Sequence, residues 1–510
     1  MSSHESSVNV TKAATERLKN KVDSWLKDTL GAYSPVHIRE DKVIRDAVFG
    51  FNVFRQYEIN LIDSPILQRL RSIQQNSLAS LTYPTTTHTR FEHSLGCLSI
   101  ADRMIRAINE KSRTPPITPL QIIEVRLAAL LHDCGHGPFS HASEFVYDKM
   151  SSELQDVRSE NMEVFGDAAG HEILAFFIVT SPRFERLWKE VCSKYNPTLE
   201  EFQHDPRDVK LIRVGRIILG LPSEGCPGYL SQIVNGPFDA DKFDYIIRDG
   251  YFSGLTTYVD IDRLAVSIDL YRDDNSESTL CMDIGGATIL EQLLFNKMVL
   301  FSSMYHHHKV RAAFRQLALL LATARANGTQ IGGVRLSSAV DYLKLDDDKL
   351  MCDAMQQPDL RPLASGIKLR RLPKRVLVID RDTLKDPASK EKWVQIGADP
   401  WKVEDLQTAI ANGAGLPSEK VYVDFPPEPR IYKTAKFSMI RRASGRPLVS
   451  LDSLYPVAGW LSGYEQYRFR SYIFGPDGIQ EKVAQIAEGA LQERGISIDF
   501  DLSTRLAKWV

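Results

Sequence analysis

The chain has 510 residues, of which 43% are hydrophobic and 25% are charged, an ordinary composition for a globular protein of about two to four lobes. Its formal net charge of −2 does not indicate nucleic acid as a partner, so any phosphate-binding surface must be local. The six cysteines form no C-x-x-C pair, which favours reduced thiols in a cytoplasmic compartment over disulfides or structural zinc. The polar N-terminus predicts no signal peptide, and the lack of a run of about 18 apolar residues predicts no membrane span.

The first part of the chain predicts short elements. Residues 1–35 should form a Ser-rich tail, over about the first dozen positions, and one short helix. Residues 41–54 are typical of a short strand followed by a turn. Asp63 is the candidate N-cap of a helix that begins at Pro65.

A polar segment with histidines leads into the next predicted helix. Apolar residues recur at helical spacing after Ser94, so His93 should lie near the helix N-terminus. Arg90 comes about one turn earlier. Both side chains are therefore candidates for a polar site at this helix end.

The most informative stretch is 127–144, in which an apolar helix runs into a His-Asp pair. Two glycines and a proline then prevent regular helix from continuing. Three imidazoles and two carboxylates fall close together here: His132, His136, His141, Asp133 and Glu144. An adjacent imidazole and carboxylate suit Mn, Fe or Zn better than Ca. A single histidine would more often be a hydrogen-bonded polar group at a helix end, but the clustering favours a metal site.

Later helices carry further polar residues. One contains the pair His171-Glu172. Within the stretch 239–250, four polar residues share one helical face: Asp241, Tyr245, Arg248 and Asp249. A solvated amphipathic helix would give the same pattern, so this stretch alone does not decide. The three consecutive histidines at 306–308 cannot all face one metal ion from a helix, because successive side chains diverge by about 100°.

Beyond about residue 330 the composition changes. Residues 375–380, 421–425 and 470–475 are typical of strands, and a helical pattern follows them late in the chain. This region contains no cluster of metal-type ligands. We therefore predict an N-terminal segment over 1–35, a helical core over 36–330 and a mixed α/β lobe over 331–510.

These residues can be assembled into one catalytic site. Two imidazoles and two carboxylates would bind one metal ion: His93, His132, Asp133 and Asp241. Arg90 and Lys242 lie next to predicted ligands and would bind an anionic substrate. The general acid and base candidates, with their orienting partners, are His136, His141, His171, Glu144 and Glu172. The constellation predicts metal-assisted hydrolysis of a phosphate ester.

Three long motifs in this order, R-F-E-H-S-L-G, L-L-H-D-C-G-H-G-P-F-S-H and D-A-D-K-F-D-Y-I-I-R-D, resemble the HD-domain superfamily. More narrowly, the chain resembles the deoxynucleoside triphosphate triphosphohydrolases of the SAM-and-HD-domain type. The resemblance covers about residues 40–320, and it is looser beyond, through K-T-A-K-F and the segment near Tyr472. It implies a mainly α fold, with a helical HD core and a smaller mixed α/β C-terminal lobe. Only about 35 residues precede the HD region, so we expect no SAM domain.

The resemblance also implies roles for individual residues. The metal ligands would be the four already named, for one or more divalent ions of Mn, Fe, Zn or Mg. Residues that match the family's phosphate contacts are Arg90, Lys242 and His141, and those that match its catalytic histidines are His136 and His171. Residues at base and sugar positions are Gln75, Tyr245, Asp249 and His306, the last in place of an aromatic residue. In the family, water attacks the α-phosphorus of a dNTP, and inorganic triphosphate and the deoxynucleoside are released.

Two departures from the family pattern concern the substrate. Asn76 stands where an apolar residue would lie near the sugar, and Met298 stands where an arginine would reach the phosphates. Two alternatives therefore stay open. One is an HD phosphohydrolase that acts on a ribonucleotide, a nucleotide second messenger or a monophosphate. The other is a non-catalytic nucleotide sensor.

A regulatory nucleotide site is the last implication of the resemblance. Four positions match the family's pattern at subunit contacts: Lys42, Asp63, Gln68 and Arg71. The match predicts a nucleotide activator and a homo-oligomer, either a dimer or a tetramer. Some of these side chains would serve structural roles equally well.

Overall fold

The computed structural model describes residues 13–111, 116–194, 206–272, 278–426, 431, 439–441, 447–468 and 470–508. The protein is 61% helical and its sheets are small, which confirms the predicted mainly α fold with a smaller mixed α/β C-terminal part. The predicted tail over residues 1–12 and the K-T-A-K-F motif lie outside the described residues.

The first two thirds of the chain form an array of helices around one large hydrophobic core. Each helix has an apolar stripe that must be covered by a neighbour, which is why the helices pack side by side. The α-helices of this part are Ala13–Leu30, Gln56–Ile62, Pro65–Gln68, Arg90–Glu110, Pro119–Leu131, His141–Glu144, Glu153–Glu160, Met162–Phe165, Gly170–Val179, Pro182–Lys194, Leu211–Ile218, Gly228–Val234, Ala240–Ser253, Ile261–Ser267, Ala287–Leu300 and His308–Asn327.

The C-terminal part contains a second hydrophobic core beneath a three-stranded antiparallel sheet. Ser471–Gly475 is the central strand, between Lys374–Ile379 and Tyr422–Asp424, which confirms the three predicted strands. The α-helices of this part, including the predicted late helix, are Ala339–Tyr342, Asp347–Ala354, Arg361–Lys368, Pro387–Gly397, Pro400–Ala414, Leu451–Leu454, Val457–Arg468, Gln480–Glu493 and Phe500–Lys508.

Three smaller sheets complete the fold. Two are antiparallel hairpins, Lys42–Asp46 with Gly50–Phe54 and Gln330–Ile331 with Val334–Arg335. The first hairpin confirms the strand and turn predicted over 41–54. The remaining four-stranded sheet has the order Val449–Ser450, Met439–Arg441, Ser278–Asp283 and Ile268–Arg272. It therefore joins strands from before and after residue 330.

The large core also continues past residue 330, since Leu336, Tyr342 and Ile367 belong to it. The helical array and the C-terminal part thus share apolar packing. The domain boundaries at 35/36 and 330/331 stay predictions.

The predicted N-cap at Asp63 is wrong. Ser64 occupies the N-cap of the helix Pro65–Gln68. Asp63 instead closes the preceding helix Gln56–Ile62, where its backbone N–H donates to the carbonyl of Ile59 at 2.8 Å. The sequence Asp63-Ser64-Pro65 predicted the N-cap one residue too early, because the preceding helix was not predicted and Asp63 terminates that helix.

One continuous helical run among the described residues, Ile284–Tyr305, is long and apolar enough to cross a membrane by length and composition alone. An 18-residue window of it has a mean hydropathy of 1.2, and 56% of that window is buried within the protein. It packs against the helix Ala240–Ser253 and contributes to the large core. Core helices meet the same criterion, so this run is weak evidence for a membrane.

Three helices position the polar cluster predicted from the sequence. Arg90–Glu110 packs against both Pro119–Leu131 and Ala240–Ser253. Two of these helices contribute their first turns, and Pro119–Leu131 contributes the residues that follow its last turn. Polar side chains at helix ends can be gathered in this way without interrupting the apolar packing between the helices.

Candidate metal centre

Each predicted metal ligand lies at the end of a helix. His93 is in the first turn of Arg90–Glu110, which begins with a capping box in which Glu92 accepts from Thr89. His132 and Asp133 directly follow Pro119–Leu131. Asp241 is in the first turn of Ala240–Ser253, whose N-cap carboxylate accepts the backbone N–H of Lys242 at 2.7 Å. Local capping therefore fixes the helix ends that carry His93 and Asp241.

The structure brings the four side chains together. His93 Nε2 lies 3.4 Å from Asp133 Oδ2 and 3.1 Å from Asp241 Oδ1. His132 Nε2 lies 3.4 Å from Asp133 Oδ1 and 3.8 Å from Asp241 Oδ1. Two imidazole nitrogens and two carboxylates thus converge on one small volume.

The donor set fits a divalent cation. His132 Nδ1 donates to the carbonyl of Ala129 at 2.9 Å, which leaves Nε2 as the lone-pair nitrogen on the side of the carboxylates. That Nε2 is buried and has no hydrogen-bond partner among the described residues. A buried acceptor beside two carboxylates needs a positive group, and mixed nitrogen and oxygen ligands suit Mn, Fe or Zn.

A charged network orients His93 from behind. Asp244 Oδ2 accepts from His93 Nδ1 at 2.7 Å, so Nε2 is directed at the cluster. Arg248 donates to both oxygens of Asp244 at 2.9 and 2.8 Å, and to Asp46 at 2.9 Å. Carboxylates that hold the second nitrogen of a ligating histidine are a regular part of metal sites. Sequence reasoning missed Asp244, although its position three residues after Asp241 places it on the adjacent helical face.

Close packing explains the glycine of R-F-E-H-S-L-G. A Cβ on Gly96 would lie 1.8 Å from Asp244 Oδ1 and 2.4 Å from Arg248 Nη2. Cys97, the next residue, was also missed, and its Sγ lies 3.5 Å from His93 Nδ1. Its spacing of four residues from His93 on one helix was the available signal. Cys97 belongs to the same group of potential ligands as His93, His132 and Asp241.

The general acid and base candidates form a second group beside the first. His141 Nδ1 and His171 Nδ1 lie 2.7 and 2.8 Å from the two oxygens of Glu144. The rings of His136 and His171 stack with centroids 3.9 Å apart. His136 Nε2 lies 3.3 Å from Asp133 Oδ1, so the two groups are contiguous. These residues are also a second set that could hold a metal ion.

The stacked histidines have opposite protonation preferences. Burial lowers the pKa of His136 well below its usual value, and the charges of Arg90 and His171 lower it further. Burial alone would also lower the pKa of His171, but the charge and hydrogen bond of Glu144 raise it to about 9. One imidazole is thus neutral and the other is protonated at neutral pH, a separation that suits an acid and a base.

The cationic residues predicted to bind phosphate are held at the edge of the cluster. Arg90 donates to Asp133 Oδ2 at 2.6 Å through Nη1 and to Ser140 Oγ at 2.9 Å through Nε. Lys242 Nζ donates to Asp239 at 2.5 Å. Glu172 was predicted to orient a histidine. Its two oxygens instead accept from the backbone N–H of Ala169 and from the side chain of Asn235.

Two of the predicted base and sugar contacts, Gln75 and Asp249, are hydrogen-bonded to His88. Asp249 accepts from His88 at 2.7 Å and from Tyr305, so both of its oxygens are engaged. Asn76 Nδ2 lies 3.3 Å from His88 Nε2. Gln75 is buried, and its Oε1 has no hydrogen-bond partner among the described residues. His306 directly follows Tyr305, and Tyr245 is half-buried.

Of the four residues predicted to bind a regulatory nucleotide, Gln68 and Arg71 contact each other within one chain. Gln68 accepts from Arg71 Nε at 2.8 Å, and the Arg71 guanidinium lies over the ring of Phe91 at 3.7 Å. Lys42 is exposed on the first hairpin, and Asp63 is exposed at the end of Gln56–Ile62.

Two family models match parts of this chain. A family model described as the HD domain matches residues 90–203, and one described as the HD associated region matches residues 259–495. Three of the four proposed metal ligands, all but Asp241, lie in the first match.

Individual proteins are similar over longer spans. An uncharacterised protein of Methanocaldococcus jannaschii is 26% identical over 463 residues, 89% of this chain and 82% of that protein. A Dictyostelium discoideum protein named as a homologue of deoxynucleoside triphosphate triphosphohydrolase SAMHD1 is 27% identical over 68% of this chain and 62% of its own length. A solved structure of a hypothetical protein from Aquifex aeolicus has a TM-score of 0.63 and 24% identity, over 88% of this chain and 99% of that one. This last likeness concerns the fold alone.

Removal of the carboxylate behind His93 should weaken metal binding. We expect Asp244→Asn to lower the affinity for Mn²⁺ by about 10- to 100-fold, because the ring of His93 loses its anionic partner. Titration against a fluorescent chelator would measure the change. Asp262→Asn, on an exposed helix position, is the matched control and should bind as the unaltered protein does. Equal affinities for both variants would contradict the orienting role.

Removal of the counter-charge of His171 should change the pH profile. The pKa of about 9 means that His171 stays protonated until the pH rises through that value. In Glu144→Gln the alkaline limb of nucleotide hydrolysis should move to lower pH by about 1 to 3 units, as expected for loss of a nearby opposite charge. Rate profiles from pH 6 to 10 would test this, with exposed Glu163→Gln as control. An unmoved alkaline limb in Glu144→Gln would rule out His171 as the acid.

Proposed function

We propose that this chain, which belongs to the HD-domain superfamily, is a metal-dependent hydrolase that converts deoxynucleoside triphosphates into deoxynucleosides and inorganic triphosphate. The observation that carries the proposal is the contact between two groups. The cluster of His93, His132, Asp133 and Asp241 adjoins the imidazole of His171, which is hydrogen-bonded to Glu144 and has its pKa raised by that carboxylate. The first group suits a phosphate-activating cation, and the second suits protonation of a leaving group. The name of the Dictyostelium relative supports the same substrate class.

The four ligands would hold one divalent ion of Mn, Fe, Zn or Mg. Such an ion would supply Lewis-acid stabilisation of the charge on the substrate phosphate. Asp133 is ready to bind a cation, because the charges of Arg90 and the neighbouring imidazoles outweigh its burial and hold its pKa well below the usual range. Burial also acts to raise the pKa of Asp241. The hydrogen bond and charge of His93 outweigh this effect, so the pKa of Asp241 lies below its usual range.

Cationic side chains of the chain would then orient the triphosphate. Arg90 uses Nε and Nη1 for Ser140 and Asp133, so its Nη2 is the donor offered to a phosphate oxygen. Lys242 provides a second positive charge from the helix that carries Asp241. Exchange of its Asp239 partner for a phosphate would pair Lys242 with the substrate, and Asp239 would keep the backbone N–H donors of Gly236 and Lys242.

The chemical step is attack by water on the α-phosphorus with cleavage of the bond from phosphorus to the 5′ oxygen. The attacking water gives its oxygen to the triphosphate, and the 5′ oxygen leaves with one proton. We assign that proton to His171 Nε2, which lies 3.9 Å from Asp133 Oδ1 and therefore faces the ligand cluster. Neutral His136, stacked on His171, is the group placed to accept a proton from water.

Regulation by nucleotide is the second part of the proposal. Gln68 and Arg71 are joined by a hydrogen bond, and Lys42 is exposed on a hairpin. A second copy of the chain would be needed to bring further groups to these residues. We therefore expect a cytoplasmic homo-oligomer, a dimer or a tetramer, that a nucleotide activates.

One specific observation favours a second substrate class. Both oxygens of Asp249 are engaged by His88 and Tyr305, and the amide of Asn76 lies beside His88. Polar side chains of this kind near the sugar would suit a substrate with a further hydroxyl group. A ribonucleotide or another nucleotide phosphate is therefore the alternative substrate for the same centre.

Product analysis distinguishes these substrates. The protein would be incubated with Mn²⁺ and each dNTP, singly and in mixtures, with NTPs in parallel. We expect deoxynucleoside and intact triphosphate from dNTPs. Because a nucleotide is proposed to activate the protein, we also expect faster turnover in mixtures than with single nucleotides. Turnover of NTPs alone, or release of pyrophosphate or monophosphate, would contradict the proposed substrate and favour the alternative.

Loss of two ligands should abolish turnover. His132→Ala/Asp133→Ala removes two of the four donors, so hydrolysis should fall by at least about 1000-fold, as when catalytic groups acting together are lost. His37→Ala, at an exposed histidine, is the control and should keep full activity. Undiminished turnover in the double variant would eliminate this cluster as the catalytic centre.

A further inference from the structure

The loop between the two polar groups has an unusual backbone. Phe139 and Ser140 have φ values of +55° and +52°, and neither is glycine. Two consecutive side-chain-bearing residues in the left-handed region are costly, and they persist only where the surroundings hold them. The turn lies directly before His141 and three residues after His136. Whatever holds it also sets the positions of the acid and base candidates.

One carboxylate from outside the catalytic motifs binds this turn. Asp347 is buried, and its Oδ1 accepts the backbone N–H of Phe139 at 2.5 Å. Its Oδ2 accepts the backbone N–H of Gln74 at 2.9 Å. Asp347 thus joins the turn to the residue before Gln75, which is predicted to contact the base.

The same turn is linked directly to Arg90. Ser140 Oγ donates to the carbonyl of Gln74 at 2.6 Å and accepts from Arg90 Nε at 2.9 Å. The chain of contacts therefore runs from Asp347 through the turn to the guanidinium that also pairs with Asp133. A shift of the turn would move the group proposed to bind phosphate.

A cation holds the other edge of the loop. Arg69 donates to the backbone carbonyls of Cys134 at 3.3 Å, His136 at 2.5 Å and Leu343 at 3.2 Å. Tyr342 packs so closely on the loop that a Cβ on Gly137 would lie 2.9 Å from the Cβ of Tyr342. Residues 134–141 are here called the catalytic loop. Asp347 binds a backbone N–H group of this loop, and Arg69 binds two of its backbone carbonyl groups.

We propose that Asp347, together with Arg69, is a positioning residue that holds the catalytic loop in its strained form and so places Arg90 and Gln75 for the substrate. The kinetic part of this proposal rests on the proposed nucleotide hydrolysis, but the structural part does not. Asp347 lies in the HD associated region, so this region would act on the catalytic site by direct contact.

The charge of Asp347 is costly to the fold. Burial raises its pKa to about 7, and Asp346 and Asp348 raise it too, while the two accepted N–H groups lower it. The negative charge of Asp347 in turn acts to raise the pKa of Arg69, which burial lowers. Because the pKa is raised in the folded state, ionisation of Asp347 lowers the stability as the pH rises through about 7. A buried acid that costs stability at neutral pH is expected where a site needs it.

Hydrogen exchange tests the structural part without reference to activity. Peptides that span Gln74 and Phe139 would be followed by mass spectrometry in the unaltered protein, in Asp347→Asn and in Asp348→Asn. The last removes the same charge from an exposed neighbour. We expect at least about tenfold faster exchange in those two regions of Asp347→Asn alone. Unchanged exchange there would overturn the proposal.

Arg69→Lys is the second variant, in case Asp347→Asn fails to fold. It keeps the charge but loses the planar donors that reach the carbonyls. Faster exchange confined to residues 134–141 would support the proposal. Equal acceleration over the whole chain in both variants would overturn it, because the pair would then stabilise the fold rather than the loop.

Kinetics test the functional part. Displacement of Arg90 should raise KM for the nucleotide by about tenfold in Asp347→Asn, with a smaller change in kcat and an unchanged metal content. A purely structural role would reduce the active fraction and lower kcat at constant KM, and that result would overturn the positioning role. If the unaltered protein hydrolyses no nucleotide, the proposed function fails, and the exchange experiment still decides the structural role of Asp347.

Discussion

The interaction on which the site depends is the approach of two carboxylates, one buried and one partly exposed, to one buried imidazole. Asp133 and Asp241 both lie within 3.4 Å of His93 Nε2, and each would repel the other without a positive group between or beside them. Arg90 and Lys242 offset part of this repulsion from outside, and a divalent cation would offset the rest from within.

The surrounding fold holds these charges in layers. Asp244 and Arg248 connect His93 to Asp46 on the first hairpin, and Glu144 connects His171 to His141. The contacts of Asp244 with His93, of Arg248 with Asp46 and of Glu144 with His171 join elements distant in sequence, so the centre forms only when the helical array is packed. Such networks keep buried charges paired, which avoids the cost of an isolated ion in the protein interior. The same arrangement lowers the pKa of His136 and raises the pKa of His171, which is stacked on it.

The sequence predicted the parts of this protein that depend on local pattern. The hairpin, the three C-terminal strands and the gathering of His93 with Asp241 followed from periodicity and motifs. Asp63 was misplaced because two short helices meet there, and a cap pattern cannot show which helix it belongs to. Asp244 and Asp347 were not found, since their importance lies in contacts that only the tertiary structure creates. For Asp347, the neighbouring sequence gives no indication of the loop that its carboxylate binds.

The most direct test of the account is to locate the metal ion. Crystals of the protein grown with Mn²⁺ would be measured at the manganese absorption edge, where anomalous scattering marks the ion. We predict one principal peak in contact with His93, His132, Asp133 and Asp241. A principal peak among His136, His141, Glu144 and His171, or no peak at either group, would contradict the proposed centre.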